Sequence, residues 1–246
     1  MHPLGLEVVT VSLEMSGPEV SRPYIEAAAP EHPALVDPSH KMDAVFGVLN
    51  VPNVVWIDEH GVIVRPPEPG WPGPRPEGVM ERLRAALPAL GRAPNAPAPR
   101  EGPPVDVLAS GQDRETYAEK IRDWVDHGGV SQYAMSPEEV ISRSQRRGPE
   151  VSRAAAHFEL ATHLWISGRR ALAIGHFKEA HSLQPDNWTY KRQAYSAVGS
   201  ARHGGEFGRF MQSPLPGEEN DWPFDSDFYS EVATLDVGQY YPNTMP

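Results

Sequence analysis

Short runs of β-branched and apolar residues, separated by proline, glycine and polar breaks, fill the first seventy positions, whereas apolar residues beyond Pro104 recur at helical spacing. Residues 6–12 (Leu-Glu-Val-Val-Thr-Val-Ser) have strand length and read as a parallel strand buried on both faces. Residues 18–29 read as a helix with Ser16 or Gly17 as cap and Val20, Tyr24, Ile25 and Ala28 as its apolar stripe; Pro30 ends it. Residues 33–37 make a short strand, and residues 39–48 a short helix expected to turn Met42, Val45 and Phe46 inward. Two β-prone runs, 54–58 and 62–65, flank Glu59-His60-Gly61, which is the pattern of a β-hairpin whose glycine takes positive φ. Residues 77–90 carry Val79, Met80, Leu83, Leu87 and Leu90 on one helical side and are expected to close a first domain.

Proline and glycine punctuate this pattern. Eight of the eleven residues 66–76 and seven of the fourteen residues 91–104 are Pro or Gly, so both stretches are expected to be extended and semi-rigid. Helices follow at 113–125, at 136–147 behind a Ser136-Pro-Glu-Glu139 capping box, and at 151–166, 171–183 and 187–198. In the last of these regions Gly168, Ala173, Phe177, Ala180 and Pro185, with Leu160, Ala161 and Leu164 before them, fit the spacing of a tetratricopeptide unit. About one and a half units are visible where stable arrays use three, which leaves two readings: a peptide-binding groove, or a helical hairpin packed on its own domain. The resulting domains are 1–90, a linker 91–104, a helical region 105–202 with the hairpin at 151–198, and a tail 203–246 rich in acids and aromatic rings.

Charge and cysteine content narrow the chemistry. The net charge of −11 contains no basic stripe, and residues 213–246 hold seven acids and no Lys or Arg, so no nucleic-acid partner is expected. With no cysteine, the chain has no disulfide, no thiolate metal site and no thiol chemistry of its own. Neither an apolar run of membrane-spanning length nor a signal-peptide pattern is present, so a cytoplasmic protein without membrane partner is expected. Ten histidines show no helical metal-ligand pairing, and His157, His163, His176 and His181 read as surface or helix-packing residues, so no metal and no cofactor is expected. Asp37, Asp58 and Glu59 stand at strand ends, where general acid work is one reading and turn and cap roles the favoured one. Asn187-Trp-Thr189 is a glycosylation sequon by pattern alone.

The order Val36-Asp37-Pro38, a helix ending Phe46-Gly47-Val48, the pair Val51-Pro52, and a strand bearing Ile57-Asp58 followed by Gly61 resembles the second half of thioredoxin-like thiol-disulfide oxidoreductases of the TlpA and ResA type, over about residues 5–90. The resemblance implies an α/β thioredoxin-like fold, incomplete because its first strand and active-site helix are missing, followed by an all-α tetratricopeptide-like domain. It implies that Pro52 is cis and that Val51, Pro52 and Asn53 form the substrate-binding loop, with the backbone of Val51 offered to a disulfide-containing protein. It further implies a central strand and a helix opening Cys-x-x-Cys, or a selenocysteine variant, ahead of Leu6, between the strand at 6–12 and the one at 54–58. No catalytic residue therefore lies in this chain, and its reading frame is expected to continue upstream of Met1, across a selenocysteine codon read as a stop. Two functions follow as expectations: a thiol or selenol oxidoreductase acting on disulfide proteins or peroxides when completed, inactive as given, or a non-catalytic scaffold that binds a protein partner through the thioredoxin-like layer and the tetratricopeptide-like helices.

Overall fold

A computed structural model describes residues 5–70, 114–144, 147–203 and 209–241. The expected helix at 77–90 and the linker 91–104 lie outside these residues. Four strands form two separate sheets. Strand β1 (Thr10–Leu13) pairs in parallel with β2 (Ala34–Asp37), Thr10 opposite Ala34. Strand β3 (Asn53–Ile57) pairs antiparallel with β4 (Ile63–Pro69), with register shifts on either side of Trp56. Each strand thus has a ladder partner on one side only, among the described residues.

Helix α1 (Pro18–Ala28) connects β1 to β2, with proline in its first turn and Gly17 at its N-cap with φ 89°. It lies over the face of β1 that carries Ser12, whose hydroxyl bonds that of Ser21 at 3.0 Å. The opposite face of the pair is uncovered, and Leu35 is 53 % exposed. Residues 6–12 are therefore not a doubly buried strand: the strand starts at Thr10, and Val8 and Val9 ahead of it are 45 % and 52 % exposed. Among the described residues neither a neighbouring strand nor a second helix layer takes their apolar surface out of water.

The short helix α2 (Lys41–Phe46) also turns the opposite way from expectation, leaving Met42 and Val45 exposed and burying Asp43. The reason lies far along the chain, because Thr189 Oγ1 donates to Asp43 Oδ2 and the ring of His40 packs edge-on against Phe158 at 4.8 Å. The hairpin forms as expected, its loop held by Asp58 Oδ1, which accepts from the amides of His60 and Val62 at 2.9 and 2.8 Å, while Gly61 takes φ 80°. Its second strand runs on through Pro66, Pro67 and Pro69, which a strand with one ladder partner among the described residues tolerates, and the Met135 amide bonds its Val64 carbonyl at 2.8 Å.

Helix α3 (Arg114–His127) packs against this hairpin: Tyr117 and Ile121 share a buried cluster with Trp56 and Val64, and Trp124 stacks on Trp56 at 4.9 Å. By packing, α3 belongs to the β-half and not to the helical region that the sequence boundary at residue 105 assigned it to. Helix α4 (Pro137–Arg143) opens with the complete Ser136–Glu139 capping box. Helices α5 (Pro149–Ile166), α6 (Arg170–Leu183) and α7 (Trp188–His203) follow with short turns. Ala161, Ala173, Phe177 and Ala180 are all fully buried between them, the small side chains permitting close approach while Phe177 fills the groove.

The tail crosses these helices as α8 (Arg209–Gln212), a 3-10 turn at Glu219–Asp221 and α9 (Phe228–Val232). Phe224, Phe228, Val232 and Tyr240 join the core built on α5 to α7, and so does Met15 from the end of β1. Met15 thus ties the N-terminal part to the helical core, while the hairpin keeps a separate cluster with α3.

Candidate functional site

The segment Leu49-Asn50-Val51-Pro52-Asn53 links α2 to β3, and the Val51–Pro52 peptide is cis, as the resemblance implies. Five residues of this loop and of the strands beside it are held by one end of α7. The Leu49 carbonyl accepts from the amides of Trp188 and Thr189 at 2.7 and 3.2 Å, which satisfies two of the otherwise unpaired N–H groups at that helix start. Arg192 Nη1 donates to Asn50 Oδ1 at 3.0 Å and to the Val51 carbonyl at 3.2 Å. The next residue, Gln193, holds the end of β1: its Nε2 donates to the Leu13 carbonyl at 3.1 Å, and its Oε1 accepts from the Met15 amide at 2.9 Å. One pair of adjacent side chains thus ties the C-terminal end of β1 to the entrance of β3. At the other end of the run, Leu6 packs against the hairpin cluster.

The three loop residues differ in how much of their bonding capacity is taken. The Val51 amide donates to Asn50 Oδ1 at 2.9 Å, and its carbonyl accepts from Arg192 and from the Tyr241 hydroxyl at 3.1 Å. Asn50 is itself buried, its Nδ2 donating to the Tyr240 carbonyl at 2.8 Å. The Val51 backbone, expected to be offered to a substrate chain, is therefore bonded on both polar groups within this chain, its amide by the Asn50 side chain and its carbonyl by α7 and the tail. Pro52 is exposed, and the shielded Oδ1 of Asn53, at the start of β3, has no protein partner. Sequence reasoning missed Asn50, Arg192, Gln193 and Tyr241. Their separations of about 140 to 190 residues leave no local signal.

Electrostatically the loop carries one cation, Arg192, whose guanidinium also lies 4.6 Å from the Phe210 ring. Burial pushes the Tyr240 hydroxyl above its ordinary pKa, so it stays protonated. No thiol, carboxylate or imidazole reaches the loop among the bonds just described, and the chain has no cysteine. Among the described residues no group of three or more His, Asp or Glu could hold a metal ion, and no helix is long and apolar enough to cross a membrane. The glycosylation sequon is closed, since Asn187 is fully buried and its Oδ1 accepts from the Tyr190 amide at 3.1 Å. Asp37 and Asp58 spend their carboxylates on turn amides. Comparison with models of protein families, with curated proteins and with solved structures finds no match to this chain.

Proposed function

We propose that this chain is the rear part of a thioredoxin-like redoxin module, followed by tetratricopeptide-like helices, that carries no redox chemistry of its own and completes a thiol or selenol site when a further strand and its helix are added. One observation supports this reading above the others: among the described residues β1 and β3 each lack a neighbour on one edge, yet α7 holds their ends together through Arg192 and Gln193. Strands flanking a single inserted strand stand about 9.5 Å apart, twice the usual spacing. Long side chains diverging from neighbouring helix positions bridge such a span. The exposed Val8, Val9 and Leu35 and the shielded Asn53 Oδ1 are the apolar surface and the acceptor that such an insertion would cover. Its substrates would be disulfide-bearing proteins or peroxides met at Val51-Pro52-Asn53, in the cytoplasm, without nucleic-acid or membrane partners.

Insulin-disulfide and peroxide reduction by the purified chain are the test, and both are expected to run at the uncatalysed rate. Placing a strand and a helix that opens Cys-x-x-Cys ahead of Leu6 is expected to confer insulin reduction. Catalysis by the chain as given, or a well-folded extended protein without activity, would overturn the reading. The bonded Val51 carbonyl favours a second reading, a non-catalytic scaffold that offers the α5–α6 hairpin, where Leu160, Ile166 and Leu172 are exposed, to a protein partner. Under that reading the extended protein stays inactive.

A further inference from the structure

The seam between α5 and α6 is lined by alanine. Ala154 and Ala161 on α5 and Ala173 and Ala180 on α6 are fully buried, and each pair stands one turn either side of a histidine, His157 on α5 and His176 on α6. Such small side chains let the two helix backbones approach closely. The two histidine rings therefore meet across the rim of the seam, both half-buried, with centroids 5.1 Å apart and planes inclined by 40°. Their Nδ1 atoms lie 2.9 Å apart. Nineteen residues separate them in the chain, which puts the pair outside the one-helix spacing at which metal-binding histidines are read from sequence.

In an N–H···N bond of this length two nitrogens share a single proton, which one Nδ1 carries and the other accepts. A Lewis acid can take that proton's place. The hydrogen of the donating ring then moves to its own Nε2, both Nδ1 atoms present lone pairs, and no proton leaves the pair. Which ion fits is set by the bite: two bonds of about 2.0–2.1 Å spanning 2.9 Å meet at about 90°. That is the angle between neighbouring positions of a square plane, whereas a tetrahedral ion needs its nitrogens about 3.3 Å apart and a linear one about 4 Å. Aiming both lone pairs at such an ion takes a ring rotation of about 45° from the hydrogen-bonded pose, within the broad χ2 range of histidine. The close-packed alanines keep the helices, and so the bite, where they are.

We infer that His157 and His176 form a two-imidazole site for a divalent ion of tetragonal preference, copper(II) first and nickel(II) after it. Imidazole nitrogen suits both ions, and copper(II) heads the affinity order of the divalent first-row metals. Among the described residues no third His, Asp or Glu joins the pair, so water fills the remaining positions and the ion stays open to a small ligand. The charged side chains one turn away are an exposed carboxylate, Glu179 on α6, and an exposed guanidinium, Arg153 on α5. Their charges offset each other, so the bonds to nitrogen and not a local field hold the ion.

Copper(II), added stepwise to the full chain at neutral pH in a buffer that does not bind the metal, tests this by paramagnetic broadening in NMR spectra. The ring resonances of His157 and His176 are expected to vanish together, at copper concentrations too low to affect the exposed His60, His127 and His163. Replacing His157→Gln is expected to raise the copper concentration that broadens His176 by at least about tenfold, and His176→Gln to do the same for His157, since each removes one of two ligands. His163→Gln, on the same helix as His157, is expected to change neither. Metal-free urea midpoints report whether each variant folds, and the wild-type titration decides the matter without them. Broadening spread alike over the exposed histidines, His157 and His176 responding at different copper concentrations, or an unaltered response of one in the folded variant of the other overturns the inference.

Discussion

Acidification from about pH 7 to about pH 5 is expected to destabilise the chain through one side chain, His181. Its ring lies edge-on to Tyr195 at 5.6 Å and beside Phe224 at 5.4 Å, with Lys191, Lys178, Glu231 and Asp225 as the charged groups around it. Burial first, and the Lys191 ammonium second, lower its pKa from 6.5 to about 4, against smaller opposing contributions from Glu231 and the Tyr190 backbone. Between these two values the unfolded chain holds a proton that the folded chain refuses, so unfolding takes up a proton. Stability is thus intact above the unfolded value, falls as the pH drops through the window, and is fully reduced below the folded value. At about 1.4 kcal/mol per unit, the whole shift is worth on the order of 3 kcal/mol, of which about 2 kcal/mol is lost by pH 5. Urea unfolding of the wild-type chain and of His181→Gln across this range isolates the effect, because every other titrating group is common to both proteins. The wild-type chain is expected to lose about 2 kcal/mol more than the variant between neutrality and pH 5. Parallel profiles, or a ring that titrates near its ordinary value by NMR, would refute the argument.

Three further outcomes follow from the packing. Arg65 and Glu68 are buried and paired on β4, with Arg65 Nη1 also donating to the Tyr133 carbonyl at 3.1 Å; Glu68→Gln, which removes the carboxylate charge of this buried pair, is expected to cost about 3–5 kcal/mol in urea unfolding. Gln193→Ala releases Leu13 and Met15, and is expected to cost about 1–3 kcal/mol and to speed amide exchange at Met15, whose N–H the side chain accepts from. Ser136→Ala removes the acceptor for the Glu139 amide at the start of α4 and is expected to cost about 1 kcal/mol, read from the thermal midpoint.

The elements legible in the sequence are those written by neighbours in the chain. The hairpin around Gly61 follows from two β-prone runs and a positive-φ glycine, and α4 from four consecutive residues that cap one another. The small and aromatic positions Ala173, Phe177 and Ala180 mark their own burial by spacing. What stayed illegible depends on partners far away. In α2 the apolar Met42 and Val45 made the natural inward face, but Asp43 is buried because Thr189 and Asn187 supply its hydrogen bonds across more than 140 residues. The loop at Val51 was legible as a bend before a strand. That Arg192 and Tyr241 would bond its carbonyl was not, since neither lies in any motif. Helix α3 looked like the first element of the helical region, and only Trp56 and Val64 show that its apolar side serves the hairpin.

The prolines of β4 decide which rim of this protein can recruit another chain. Pro66, Pro67 and Pro69 have no N–H, and the Met135 amide and Tyr133 carbonyl bond Val64 and Arg65 of the same strand, so this border of the hairpin is both poor in donors and occupied by its own chain, a poor template for stacking copies into fibrils. That safeguard is absent from β3, which has no proline and whose N–H groups alternate between β4 and its other edge. Edge-to-edge growth of the hairpin is therefore hindered at β4 and left to the far edge of β3, which has no ladder partner among the described residues.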